Sequence, residues 1–233
     1  MVLPKIDLPL FELELPSTGE KIKYRPFSVK EEKILLIAQE SNDIEQEILA
    51  AKQIVNNCLV GKDIGDLPMF DLEYIMLCLR ARSIDNAINF SIRDPDTDEK
   101  VELEIDIENI TITRNPSHTN KVKINDDFYL FLKYPSIDQF LQVATYDSND
   151  PLSNYYIMVS CLDKLASDED VYDFKDYSED EIHNFMDGMS GEVVKGIQDF
   201  FETMPRLRHE MHYTNKENKE QVFVLEGMRS FFM

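Results

Sequence analysis

The strongest constraint on the fold of this chain is a pair of alternating segments that leads directly into a capped helix. LFELEL (10–15) and KIKYRPF (21–27) alternate apolar and charged residues around the polar turn PSTGEK, and this pattern predicts a β-hairpin. Ser28 stands three residues before Glu31, which is the spacing of a helix capping box. The segment RPFSVKEEKILLIAQES (25–41) therefore predicts a rigid passage from strand to helix.

Further elements follow the same kind of signal along the rest of the chain. Four apolar residues of the first helix are expected to face inward: Ile34, Leu35, Ile37 and Ala38. Asp43 is placed to cap a second helix, and a third is predicted to begin near Phe70. Strands are predicted at 86–94, 100–107 and 128–135, helices at 136–146, 151–165 and 191–204, a short helix starting at Ser178, and a closing hairpin over 206–214 and 221–227.

These elements together predict an α+β fold. It has an N-terminal β-hairpin with helices, a small antiparallel sheet in the middle, and a helical C-terminal part that ends in a β-hairpin. The predicted regions are 1–84, 85–135 and 136–233. No long linker rich in Gly, Ser or Pro separates them, so one compact domain is the alternative.

Composition excludes several classes of function. The net charge is −21 over 233 residues, which repels nucleic-acid phosphates, so we expect no nucleic-acid partner. No apolar run approaches the length of a membrane span, and the N-terminus lacks the pattern of a signal peptide, so we expect no membrane association. Three widely spaced cysteines, Cys58, Cys78 and Cys161, are expected to be free thiols in a reducing cytoplasm.

The sequence contains only weak signals for a catalytic site or a metal-binding site. Asp94, Asp96 and Asp98 have the spacing that opens a calcium loop, but the required Gly and Glu are absent, so a solvated hairpin turn is expected. His209 and His212 are three residues apart on a predicted strand, which would place them on opposite faces. With seven glycines and no phosphate-loop or nucleophile motif, the chain is expected to be no enzyme and to bind no metal or cofactor.

Two aromatic features suggest protein interfaces. The acidic tract 168–185 is interleaved with Tyr172, Phe174 and Tyr177. These side chains could form a recognition surface or could face the core. Phe231 and Phe232 close the chain, and because exposed aromatic rings are unfavourable in water, they are expected to pack on their own domain or on a partner.

The segment 25–41 resembles the characteristic N-terminal motif of the T4-type phage baseplate proteins, the family of the baseplate hub subunit and the hub assembly protein. Four later stretches are similar to that family and occur in the same order: LPMFDLEYIMLCLRARSI (67–84), FYLFLKYPS (128–136), FFETMPRLRHEMHY (200–213) and LEGMRSFF (225–232). One departure concerns the middle strands, where some members carry a CxxC pair. Here NFSIRDPDTDEKVELEI (89–105) has no cysteine.

The resemblance implies a structural or assembly component of the central hub of a contractile tail baseplate. Such a protein would act without catalysis, would bind other baseplate and tail hub proteins in the host cytoplasm during assembly, and could be retained in the virion. A transient assembly chaperone, a generic cytoplasmic binding module and a homo-oligomer are alternatives that the sequence leaves open. The candidate interface residues are Arg25, Pro26, Phe27, Lys30, Lys33, Tyr172, Phe174, Tyr177, Phe231 and Phe232.

Overall fold

The computed structural model describes residues 7–41, 43–144 and 153–232. The strands are β1 Phe11–Glu14, β2 Lys21–Tyr24, β3 Ala87–Arg93, β4 Lys100–Asp106, β5 Ile112–Thr113, β6 Lys121–Lys123, β7 Tyr129–Leu132, β8 Leu162–Ala166, β9 Val171–Asp173, β10 Arg206–Thr214 and β11 Glu220–Glu226. The helices are α1 Val29–Ser41, α2 Ile44–Cys58, α3 Met69–Ser83, α4 Ile137–Ala144, α5 Ser153–Ser160, α6 Glu179–Asp187, α7 Gly191–Thr203 and α8 Gly227–Phe232. Short 3-10 turns cover Ile107–Asn109 and Phe174–Asp176.

Helices and small antiparallel sheets make up the described chain, which confirms the predicted α+β class. Contacts group the residues into two compact units: unit 1 contains the described residues up to Thr113 and from Arg206 onward, and unit 2 contains Arg114–Pro205. The three regions proposed from the sequence stay a prediction about how the chain is organised.

The N-terminal hairpin of unit 1 forms as its alternation predicts. Strands β1 and β2 are antiparallel, with Glu12 opposite Lys23 and Glu14 opposite Lys21, so opposite charges face each other across the outer side. The turn is held to α3 by Asp71, which is fully buried. Its carboxylate accepts a hydrogen bond from the Ser17 N–H, at 3.0 Å, and another from the Ser17 hydroxyl.

Helices α2 and α3 supply much of the core of unit 1. Their fully buried side chains include Ile54, Leu72, Ile75, Met76 and Leu79. Burial of each side chain of this size stabilises the fold by about 1.5–3 kcal/mol relative to exposure. The C-terminal elements β10, β11 and α8 belong to the same unit as these N-terminal helices. Unit 1 is therefore built from both ends of the sequence.

Unit 2 is built on a four-stranded antiparallel sheet with the order β6-β7-β8-β9. Its core includes Leu130 and Leu132 of the sheet and Ile197 and Phe200 of α7. Helix α7 lies very close to β6, because a Cβ atom added to Gly196 would come within 2.6 Å of a Val122 methyl group. A residue without a side chain is therefore required at this crossing.

Two local predictions were wrong. The helix expected over 151–165 ends at Ser160, and Leu162–Ala166 forms strand β8 between β7 and β9. The start of that predicted helix at Pro151 lies outside the described residues, as does the end of the helix expected over 136–146. Ile37 was expected to face inward, yet it is 70% exposed. Residues 34–37 are all apolar, and their side chains are spread over most of the circumference of the helix. A single packing face cannot bury all four.

The predicted β-rich middle is present, but its strands do not share one sheet. Among the described strands, β3 and β4 pair only with each other, β5 pairs with β10, and β6 and β7 belong to the sheet of unit 2. The closing hairpin over 206–214 and 221–227 is confirmed as β10 and β11.

Candidate protein-binding sites

The passage from hairpin to helix is organised by an ion pair between the partly buried Arg25 and the buried Glu31. The guanidinium donates to both carboxylate oxygens of Glu31, at 3.1 and 3.4 Å, and also to the carbonyl oxygens of Asn57 and Pro26, at 2.9 and 3.0 Å. The Glu31 carboxylate additionally accepts from the backbone N–H and the hydroxyl of Ser28, at 2.9 and 2.6 Å. The segment therefore links strand β2, the start of α1 and the end of α2.

The surroundings of Arg25 and Glu31 shift the pKa values of both groups so that both stay charged. Burial alone would raise the pKa of Glu31, but the hydrogen bonds from Arg25 and Ser28 outweigh burial and lower its pKa to about 2. The hydrogen bond with Glu31 raises the pKa of Arg25. Burial raises the pKa of the neighbouring Cys58 thiol to about 11, so this cysteine is not an activated nucleophile.

The other residues predicted at this passage divide into buried and exposed. Pro26 and Phe27 are buried, and the Phe27 N–H donates to the Ser83 hydroxyl at 2.9 Å. Lys30 and Lys33 are exposed on the first turns of α1. Of the five candidate interface residues in this segment, the two lysines therefore offer the most surface to a partner.

The C-terminal candidate residues lie in α8, which packs against its own unit. Phe231 is 1% exposed, and the side chain of Phe232 lies outside the described residues. Arg229 forms a bidentate pair with Glu47 of α2, with distances of 2.8 and 2.9 Å, and Glu47 is 4% exposed. The surface that Phe231 could give to a partner is accordingly small.

A carboxylate of α3 completes the anchoring of α8. Glu73 accepts a hydrogen bond from the Met228 N–H at 3.1 Å, within the first turn of α8. Burial raises the pKa of Glu73 to about 7, and the nearby carboxylate of Glu226 adds to the shift. Neither the Glu47 pair nor this carboxylate was singled out by sequence reasoning, because their partners are more than 150 residues away.

The acidic tract forms strand β9, a 3-10 turn and helix α6 on one side of unit 2. Ser178 and Glu181 form the predicted capping box at the start of α6. Phe174 is buried and packs against Phe185, with ring centroids 5.3 Å apart. Tyr172 and Tyr177 are 38% and 42% exposed, so the tract places one predicted aromatic residue in the core and leaves two accessible.

Tyr172 and Tyr177 open onto a groove of about 340 Å³, which we call the aromatic groove. Its lining consists of Phe128, Leu165, Tyr172, Phe174, Tyr177, Glu181, Ile182 and Phe185. Seven of these eight side chains are aromatic or aliphatic, and Glu181 is the one acid among them. An apolar groove of this size can accept one or two large side chains of a partner.

Two members of the aromatic groove lie outside the tract that sequence reasoning selected. Phe128 has the same strand parity as the buried Leu130 and Leu132, which is a signal that could have been used. Leu165 was assigned to a helix, so its position on β8 was missed. Exposed Val29, Leu36 and Ile37 of α1 are a second apolar surface that was not predicted.

The aspartates with calcium-loop spacing form a hairpin turn, as expected, but Asp94 is buried and not solvated. Asp94 is 1% exposed and accepts hydrogen bonds from the Thr97 N–H at 2.9 Å and from the Tyr213 hydroxyl at 2.9 Å. Burial favours the neutral acid, but these hydrogen bonds hold the pKa of Asp94 below its usual value. This turn is therefore joined to the closing hairpin by its own side chains.

Potential metal ligands do not converge: across residues 7–41, 43–144 and 153–232 there is no group of three His, Cys, Asp or Glu side chains suited to a metal ion. His209 and His212 lie on β10, opposite Leu225 and Val222. All three cysteines are free, and Cys58 and Cys161 are buried. Within the same described residues, no helix combines the length and apolar character needed to cross a bilayer.

Comparison with known proteins identifies a family. The family model described as T4 bacteriophage base plate protein matches residues 8–233, nearly the whole chain. No curated protein and no solved structure matches. The match supports a structural role in the phage baseplate in general, a tail location and other baseplate proteins as partners, and the chain belongs to the family of T4 bacteriophage base plate proteins.

Proposed function

We propose that this protein is a component of the central hub of a contractile tail baseplate and acts by binding other hub proteins, without catalysis. The observation that carries the proposal is the family match over residues 8–233. Its surface supports binding as the mode of action, because the aromatic groove is an accessible apolar feature of unit 2. The protein is made in the host cytoplasm and binds neither nucleic acid nor membrane, in keeping with its net charge of −21.

Retention in the virion and transient action during assembly make different physical demands. A retained subunit needs large, apolar interfaces, whereas a chaperone that releases its client needs smaller and more polar contacts. An acidic factor can also cover a basic client face and then leave. The charge of this chain favours the assembly chaperone as the second candidate.

Quantitative mass spectrometry of purified virions and of tail-assembly intermediates tests the proposal. A fixed small copy number in virions supports a hub subunit, and presence only in intermediates supports the chaperone. Absence from both samples contradicts the proposal and favours a binding module unrelated to tails. Sedimentation of the purified protein would determine whether it forms homo-oligomers.

Lys30 and Lys33 are proposed as a further contact with a hub partner. Both are exposed on α1, and their replacement leaves the Arg25–Glu31 pair intact. The variant with Lys30→Glu and Lys33→Glu is expected to fold and to lose hub assembly. If the folded variant assembles hubs as the wild type does, these lysines have no docking role.

A further inference from the structure

We propose that the aromatic groove binds a basic segment of another baseplate protein, which inserts an apolar or aromatic side chain between Tyr172 and Tyr177. The choice of partner rests on the proposed function, whereas the chemistry of the segment follows from unit 2 alone. The groove and the charge around it are two independent observations, and each indicates one property of the ligand.

The groove itself is assembled by elements that are fixed in the core of unit 2. Phe174 lines it with 8% exposure, and Phe185 of α6 packs against it. Helix α6 is held at its start by the Ser178–Glu181 capping box. The groove is therefore formed before a ligand arrives, which lowers the loss of conformational entropy on binding.

The rim of the groove is unusually apolar for a surface in water. Tyr172 and Tyr177 are more than one third exposed, and Val171 beside them is 66% exposed. These side chains are large and yet remain partly accessible to solvent. Tyrosines around an apolar pocket are typical anchors for a partner side chain.

Charge identifies the partner as basic. Residues 168–181 contain eight carboxylates and one lysine, and that lysine, Lys175, is already paired with Asp173 at 2.5 Å. Asp168, Glu169 and Asp180 are exposed and form no ion pair among the residues that the structure describes. A lysine- or arginine-rich segment would be attracted by this field, whereas nucleic acids and anionic lipids would be repelled.

Fluorescence anisotropy with labelled peptides tests the proposal on the full-length protein. The probes are overlapping 15-residue peptides that cover the other tail proteins of the same phage, together with peptides from this chain. We expect the bound peptides to combine Lys or Arg with an aromatic or large aliphatic residue. Their affinity should fall at least about tenfold when salt is raised from about 0.05 M to about 0.5 M, because the charges attract at long range.

Variants separate the anchor from the charge. Replacement of both Tyr172 and Tyr177 by Ser should weaken the bound peptides by about tenfold or more, and replacement of both by Phe should preserve binding. Neutralisation of three exposed carboxylates of the acidic tract, by Asp176→Asn, Glu179→Gln and Asp180→Asn, should weaken binding and reduce its salt dependence. The matched control neutralises three exposed carboxylates of unit 1, through Glu32→Gln, Asp66→Asn and Glu104→Gln, and should leave binding unchanged.

Several outcomes would overturn the proposal. These are equal binding by the Ser variant and the wild type, an equal effect of the unit 1 control, and selection of acidic peptides or of peptides from this chain alone. Circular dichroism of each variant verifies that it is folded.

Complementation of a phage that lacks this gene separates the groove proposal from the proposed function. If the wild-type gene restores baseplates and the Ser variant does not, both are supported. Restoration by the Ser variant overturns the groove proposal alone. If loss of the gene leaves tails intact, the hub function fails, and the peptide measurements still decide whether the groove binds a basic segment.

Discussion

Two helices of this protein begin with the same four-residue pattern and yet differ in what holds them. At α1, Ser28 and Glu31 form part of a buried network with Arg25, and Glu31 is 1% exposed. At α6, Ser178 and Glu181 make the same contacts, with 2.9 and 2.7 Å between the serine donors and the carboxylate, but on the surface. The hydrogen bonds from each serine to its glutamate carboxylate are nearly identical, and the surroundings are not.

The comparison shows that a capping motif determines where a helix begins. How much the motif stabilises the protein depends on the tertiary contacts around it. A buried carboxylate needs a cation and several donors to remain charged. Arg25 supplies the charge and also connects the carboxylate to α2 through the Asn57 carbonyl oxygen. The exposed carboxylate of Glu181 is solvated by water, so its removal can affect little beyond α6.

The largest effect is expected from Arg25→Ala. It leaves the buried carboxylate of Glu31 without its cation, and the loss of one partner from such a pair destabilises a protein by about 3–5 kcal/mol. The free energy of unfolding should be measured in urea at pH 7. Lys30→Ala, on the exposed side of the same helix, is the control and should change stability by less than about 0.5 kcal/mol. Similar small effects of both variants would show that the pair is structurally unimportant.

A second prediction concerns Glu73, a half-buried carboxylate near the start of α8 that has the like charge of Glu226 beside it. Its pKa of about 7 lies above the ordinary value of 4.5, so the folded state binds the proton more tightly than the unfolded state. The wild type should therefore lose stability as pH rises from about 4.5 to about 7. Glu73→Gln should remove this loss and be more stable than the wild type by about 3 kcal/mol at pH 8.

Urea unfolding of both proteins at pH 5 and pH 8 measures this difference. The control is Glu104→Gln on the exposed side of β4, which keeps Glu73 and should therefore lose stability between pH 5 and pH 8 as the wild type does. A wild type that is as stable as Glu73→Gln at pH 8 would contradict the raised pKa.

The third prediction has the opposite sign and concerns Glu31. Because its pKa is lowered from 4.5 to about 2, its charge stabilises the folded state above pH 4.5, and this contribution is lost as pH falls toward 2. The stability advantage of the wild type over Glu31→Gln should therefore be full at pH 6 and much smaller at pH 3. A constant difference between the two proteins across this range would show that the charge of Glu31 is not what stabilises the network.

Local signals explain how much of the fold could be predicted. Ser28, Asp43 and Ser178 marked helix starts because side-chain capping acts over two or three residues. Strand β8 was missed because its helical appearance is local, whereas its pairing with β7 and β9 depends on residues elsewhere in the chain. The partner of Glu47 lies 182 residues away at Arg229, and no pattern of neighbours could indicate it.

The candidate site was predictable to a similar extent. Tyr172 and Tyr177 were conspicuous because aromatic residues are rare within acidic tracts. Their role in the aromatic groove depends also on Phe128 and Leu165, which β7 and β8 bring to the same place. The negative charge around the groove is visible in the sequence. The groove itself could not be predicted, because it depends on how Phe174 packs in the folded unit.

The smallest effect is expected from Ser178→Ala, which should destabilise the protein by about 1 kcal/mol because it removes an exposed helix cap. Ser28→Ala should destabilise the protein more, by about 2 kcal/mol, since the lost hydrogen bond ends on a buried charge.

Combination of each serine variant with Arg25→Ala makes the comparison sharper. Arg25 and Ser28 share the Glu31 carboxylate, so their effects should be non-additive, whereas Arg25 and Ser178 share no partner and should add within about 0.5 kcal/mol. Additive behaviour of both pairs, measured by urea unfolding, would mean that the two serine–glutamate contacts are equivalent and that burial adds nothing to the first.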